Sequence, residues 1–247
     1  MNELVRPCRK YNSIDRAGFV VRFDAKLSVD EIVRKSTKLD GFFSNREQKK
    51  SKSGSLIGFK FYECSISPRV NLYITENGLY IYDLDYMRWQ FTQKVFFEIL
   101  KLVECLNDHD VIMCALGYLD KYFVQEKTQY RDIFKKNPYI PEIAYTGDML
   151  YAYDLQMSCE RSIGISDDIV NNSVCSLAIS SCKNKDDIDY YAVVSLDTSI
   201  TMRKKYEFLH IIKRFESISS EMHKWSKFIF NSIVEDSLLN RVGAGGE

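Results

Sequence analysis

Val70-Asn71-Leu72-Tyr73-Ile74-Thr75-Glu76-Asn77-Gly78-Leu79-Tyr80-Ile81-Tyr82-Asp83 reads as a β-hairpin, and the rest of the fold can be worked out from it. Val70, Leu72 and Ile74 alternate with Asn71, Tyr73 and Thr75, the period of two expected of a half-buried strand. Asn77-Gly78 suits a two-residue type I′ turn, because both residue types tolerate positive φ. Positive φ is therefore expected at both positions.

Upstream, Gly18 to Asp24 is rich in aromatic and β-branched residues and reads as a strand. Ser28 with Glu31 forms a capping-box pattern before a helix from Val29 to about Leu39. Arg46, Lys49, Lys50 and Lys52 lie in a stretch that ends Ser53-Gly54-Ser55, with Glu47 as the one acid among them, and it reads as a mobile basic loop. Leu56 to Ile66 is a further strand. Downstream, Thr92 is placed to cap a helix whose apolar stripe (Phe96, Ile99, Leu100, Val103, Leu106) runs through Asn107. Val111 to Gln125 reads as a strand too long to be unbroken. Pro138 and Pro141 interrupt regular structure and mark the junction between two halves, 1–137 and 138–247.

The second half opens with strands at Asp148–Cys159, Val174–Ser181 and Tyr190–Asp197, with a turn at Asn184-Lys185-Asp186-Asp187. From about Met202 to Leu238 apolar residues recur at three and four, predicting one long amphipathic helix of about 54 Å. Its stripe is Ile211, Phe215, Ile218, Met222, Trp225 and Ile229, with Lys213, Glu216, Lys224 and Lys227 towards solvent. A helix of that length either kinks near Ser217–Ser220 or packs its far end, at Trp225 and Phe228, on another chain. The expected class is α+β: two mostly antiparallel sheet-plus-helix halves and a long C-terminal amphipathic helix. An internal duplication is conceivable, although no repeated motif marks one.

Composition narrows the function. The 247 residues are 45% hydrophobic and carry 34 Lys+Arg against 34 Asp+Glu, a formal net charge of +0. A dedicated nucleic-acid binder usually carries a basic excess, so nucleic acid is not the expected partner. There are seven cysteines and no Cys-x-x-Cys, which reads as free thiols in a reducing cytosol. No apolar run approaches the ~20 residues of a membrane span, and the first residues lack an apolar signal core. A cytoplasmic protein is expected.

Few residues carry recognisable chemistry. The three histidines, His109, His210 and His223, lack metal-ligand spacing and read as solvent-facing or capping residues. No phosphate-binding glycine loop or nucleophile elbow is present. Asp83 and Asp85 alternate at a strand end and are the one weak catalytic candidate, as a magnesium-holding pair. Tyr80 with Tyr82, and Tyr151 with Tyr153, form tyrosine rows suited to protein recognition. Their chain neighbours Asp83, Asp85 and Asp154 would repel a phosphate backbone. No cofactor and no metal is expected.

Ala115-Leu116-Gly117-Tyr118-Leu119-Asp120-Lys121-Tyr122 resembles the Gly-Leu-Arg-Tyr-Ile-Asn-Arg strand of a sporadically distributed, uncharacterised bacterial family of similar length. Where that motif has its first arginine and its asparagine, this chain has Gly117 and Asp120. Val20-Val21-Arg22-Phe23 and Leu209-His210 fit the family's opening strand and terminal helix. The resemblance implies an architecture and a bacterial origin. Its patchy distribution is that of defence or toxin–antitoxin cargo. The expected function is a non-enzymatic protein-interaction module with a protein partner or a second copy of itself. The alternatives are a small-molecule or nucleotide sensor with its pocket between the halves, and a metal-dependent phosphate-handling enzyme using Asp83 and Asp85.

Overall fold

The computed structural model describes residues 5–8, 13–125, 132–136, 155–163, 173–183 and 192–239, with the backbone alone for Arg6, 155–163, 173–183, 192–195 and Leu239. The strands are β1 (Val5–Pro7), β2 (Ile14–Phe23), β3 (Phe43–Lys50), β4 (Leu56–Cys64), β5 (Val70–Thr75), β6 (Gly78–Asp83), β7 (Asp110–Val124), β8 (Leu155–Ile163), β9 (Ser173–Lys183), β10 (Ala192–Met202) and β11 (Tyr206–Glu207). The helices are α1 (Val29–Lys35), α2 (Leu39–Phe42), α3 (Trp89–Lys101), α4 (Phe208–Lys213), α5 (Phe215–Ile233) and α6 (Asp236–Leu239), with a 3-10 turn at Glu104–Leu106. One antiparallel sheet takes the order β3-β4-β5-β6-β2-β7-β10-β9-β8, and β1 and β11 add to β7. The α+β class holds.

The two halves share this sheet, because β7 pairs with both β2 and β10. Their wiring is alike in outline: a strand (β2 or β7), a three-strand meander returning beside it (β4–β6 or β8–β10), then a helix (α3 or α5), while α1, α2 and β3 have no counterpart among the described residues of the second half. The antiparallel β2–β7 pair joins them, with Gly18 opposite Gly117. Helices α3 and α5 also run antiparallel, since Trp89 stacks on His223 while Phe97 stacks on Phe215. The halves are thus related by an approximate two-fold axis near the Gly18–Gly117 pair. Residues 137 to 150, including Pro138 and Pro141, lie outside the described residues.

Several local expectations change. The hairpin is present, but Thr75 pairs with Gly78, so the turn residues are Glu76 and Asn77. Among the described residues, positive φ occurs at Glu63 and Gly54 and at neither Asn77 nor Gly78. Thr75 shapes this turn instead: its hydroxyl donates to the Gly78 carbonyl at 3.2 Å and accepts from the Asn77 N–H at 3.2 Å. Gly78 is needed for close approach, because a Cβ there would lie 2.2 Å from the Val21 carbonyl oxygen.

The basic stretch is an edge strand. Arg46, Lys49 and Lys50 belong to β3, held to β4 from Phe43 to Lys50 and anchored by buried Phe43 against Phe61. One face and one edge of this strand are wet, so its composition imitates a loop. Only Lys52 lies in a turn, where the Ser51 N–H donates to the Ser55 carbonyl at 2.8 Å and Gly54 has φ +85.

The predicted caps are not made. Ser28 precedes α1 without a side-chain cap bond, and α1 ends at Lys35 before the separate α2. Thr92 lies inside α3, where its hydroxyl donates to Asp83 at 2.6 Å, and α3 ends at Lys101. β7 runs unbroken from Asp110 to Val124 because each side finds partner strands along its length. The expected terminal helix instead opens with the end of β10 and with β11, then breaks at Arg214 (φ −111, ψ 9) between α4 and α5. The apolar period crosses that break because both segments bury the same stripe: Ile211, Phe215, Ile218 and Met222. With 19 residues, α5 spans about 28 Å, roughly a strand length, so helix length does not call for a second chain. The helices lie on one face of the sheet, over Phe19, Leu72, Ile81, Leu116 and Ile200.

Candidate functional site: the uncovered face of the sheet

Strand alternation sends Ala17, Phe19, Val21 and Phe23 under the helices and leaves Arg16, Gly18, Val20 and Arg22 on the other face. Among the described residues, no helix packs on that second face. Strand register builds its surface in rows. One row runs Glu47–Lys60–Tyr73–Tyr80–Val20–Ala115–Thr201, and its neighbour runs Asn45–Tyr62–(Asn71)–Tyr82–Gly18–Gly117–Ser199, where Asn71 is the cross-strand partner of Tyr82.

Four tyrosines therefore gather on three adjacent strands: Tyr62 on β4, Tyr73 on β5, and Tyr80 and Tyr82 on β6. All four are partly exposed. Tyr73 and Tyr82 meet edge to face with ring centroids 5.8 Å apart. The Lys60 ammonium sits 5.1 Å from the Tyr62 ring centre and 5.8 Å from that of Tyr73, and the Arg16 guanidinium lies 5.1 Å over Tyr82. Burial pushes the Tyr82 hydroxyl above its ordinary range, partly offset by Arg16, so it stays a protonated donor at neutral pH.

Gly18 has no room for a side chain, because a Cβ would lie 2.8 Å from the Tyr82 ring. Gly117 differs: a Cβ there would meet only Ser199 Cβ and the Thr198 carbonyl, both at 3.5 Å. Next to the tyrosines, on the approximate two-fold, the face is thus a shallow shelf of Gly117 and Ser199, bordered by the Tyr82 ring that covers Gly18.

The tyrosine row at Tyr80 and Tyr82 is on this face. Tyr62 and Tyr73 complete it; only strand register reveals them, since they sit far from Tyr80 in the chain. Tyr151, Tyr153 and Asp154 lie outside the described residues. Asp83 does not neighbour the tyrosines in space. It is 1% exposed on the helix side, accepting from the Thr92 hydroxyl at 2.6 Å and the Asp85 N–H at 2.9 Å. Asp85 lies beyond the strand end and is exposed, so the two carboxylates do not form a pair. Among the described residues, no group of three or more His, Cys, Asp or Glu is placed to hold a metal ion.

Polar groups also collect beneath the helices. Asp120 is 3% exposed and accepts from the Ser13 hydroxyl at 2.5 Å. Burial raises its carboxyl to about 7, the Ser13 bond opposing the rise and Asp197 adding to it. Nearby, the Tyr118 hydroxyl and His223 Nδ1 share a hydrogen bond of 2.9 Å, and Trp89 stacks on His223 with centroids 4.6 Å apart. Burial, with a smaller push from Lys227, lowers His223 to about 4. His223 is thus a half-buried, neutral packing residue and not a solvent-facing one. His210 likewise stacks on Tyr206 at 4.8 Å, and His109 meets Phe23 edge-on at 6.1 Å.

On the flank of α5, Trp225 packs partly on the core and meets Phe228 edge to face, while Phe228 is 60% exposed. No helix among the described residues is long and apolar enough to cross a membrane. No protein-family model matches the chain, and no curated protein matches it.

Proposed function

We propose that the chain is a non-catalytic binding module whose working surface is the uncovered face of the sheet, occupied by a protein partner. The observation that carries this reading is the gathering of Tyr62, Tyr73, Tyr80 and Tyr82 there, with Lys60 and Arg16 over their rings. Tyrosine and arginine are the residue types that anchor protein interfaces, since they offer rigid area with polar tips at low entropic cost. Its test adds bulk to the face without opening the core. Gly117→Leu fills the shelf where the sheet has space, and Tyr73→Ser with Tyr80→Ser strips the rings. The partner must protect residues 60–62, 71–75 and 80–82 from amide exchange and be lost in both variants while their circular dichroism stays unchanged. Protection elsewhere, or retention by both variants, overturns the reading.

A second reading, single-stranded nucleic acid, has its own observation. In space the tyrosines neighbour Lys60 and Arg16, not the acids that flank them in the chain, and such interleaving suits stacked bases beside phosphates. Fluorescence anisotropy of a labelled single-stranded oligonucleotide separates the two. Affinity that falls steeply with salt and is lost in Tyr73→Ser supports nucleic acid.

A further inference from the structure

β3 is the last strand of the sheet, paired with β4 on one side. Among the described residues nothing hydrogen-bonds to its other side. An antiparallel edge strand turns alternate N–H and C=O groups outward, ready to pair with a further strand. β3 has eight residues, a run of about 26 Å, and its one register irregularity falls at the last step, between Lys49 and Lys50. It has no proline, and among the described residues no helix covers that edge. Among the described residues, the devices on this edge are thus charge and the one irregularity at its end.

That charge is one-sided. Within residues 43–52, Arg46, Lys49, Lys50 and Lys52 are accompanied by a single acid, Glu47. Arg46 is engaged by Asp40 at 3.4 Å and Lys49 by Glu47 at 2.8 Å. Lys50 and Lys52 are exposed and have no ion pair among the described residues. Like charges opposite one another on adjacent strands repel and opposite charges attract. The basic edge therefore rejects a second copy of itself and selects a strand rich in Asp or Glu.

We infer that the free edge of β3 takes up an extended acidic segment of a protein partner as an added strand. This rests on the reading of the chain as a binding module and names how part of the partner is held: backbone bonds supply affinity, while Lys50 and Lys52 supply selection. The added strand would extend the tyrosine face by one further strand.

The test uses the full chain and a labelled short peptide alternating threonine and glutamate. The peptide binds and slows amide exchange across residues 44–50. Methylating its backbone nitrogens on alternate residues weakens binding about tenfold or more, as does Lys50→Glu with Lys52→Glu. Gly117→Leu leaves peptide binding unchanged, because the shelf lies five strands away from the edge. Equal affinity for the methylated peptide overturns strand addition, and equal affinity in the double lysine variant overturns the charge selection. Loss of the peptide in Gly117→Leu places it on the tyrosine face, which overturns the edge site and leaves the proposed function standing. A partner lost in Gly117→Leu while the peptide still binds supports both.

Discussion

Asp120→Asn should stabilise the protein at alkaline pH and do little at acid pH. Asp120 is 3% exposed, and its carboxyl is raised from 3.8 to about 7, chiefly by burial. Between those two values the folded chain holds a proton that the unfolded chain has released. Stability therefore falls as pH rises through the window, the reverse of the usual salt-bridged carboxylate. A shift of about 3 units at 1.36 kcal/mol per unit makes the loss about 4 kcal/mol by pH 8.5, and only about 1 kcal/mol by pH 4.5. Asparagine keeps the shape and can still accept the Ser13 hydroxyl that now bonds Asp120 at 2.5 Å, but it never ionises. The gain from Asp120→Asn should therefore grow with pH from about 1 to about 4 kcal/mol over that range. His223 titrates in both proteins, so its contribution cancels in the difference. Urea unfolding followed by circular dichroism at pH 4.5, 6, 7.5 and 8.5 measures it, with equal m-values as the check on a common unfolded state. A difference independent of pH, or a variant less stable at pH 8.5, refutes the reasoning.

Other outcomes follow from single contacts. His223, lowered to about 4, is neutral when folded and charges more readily when unfolded, so its contribution is lost as pH falls from about 6.5 towards 4. His223→Phe should flatten that acid limb in thermal melts, and an unaltered limb counts against it. Gly78→Ala should cost about 3 kcal/mol, because its Cβ would press on the Val21 carbonyl, whereas Gly117→Ala should stay within about 0.5 kcal/mol. Similar melting temperatures for these two alanine variants would contradict the geometry. Lys205 bridges Asp24 at 2.8 Å and Asp110 at 2.9 Å while 57% exposed, so Lys205→Met should cost little stability and lose even that in 1 M salt. A large, salt-independent loss on chemical denaturation would show that the lysine does more than pair at the surface.

Local pattern alone determined the hairpin strands at Val70–Thr75 and Leu79–Asp83, the α+β class, and the buried stripe Ile211, Phe215, Ile218 and Met222. Periods of two and three-to-four record which side of an element is dry, and dryness is written residue by residue. The tertiary structure decided what depends on partners distant in the chain. Gly78 is a glycine because β2 passes beside it. Asp83 turns inward because Thr92 and the Asp85 N–H await it there. β3 is a strand although its composition is that of a loop, because an edge strand buries little and so keeps polar residues. The candidate site belongs wholly to this second kind. Tyr62, Tyr73 and Tyr82 become neighbours, and Lys60 and Arg16 replace Asp83 and Asp85 beside them, only when antiparallel register lays separate strands side by side.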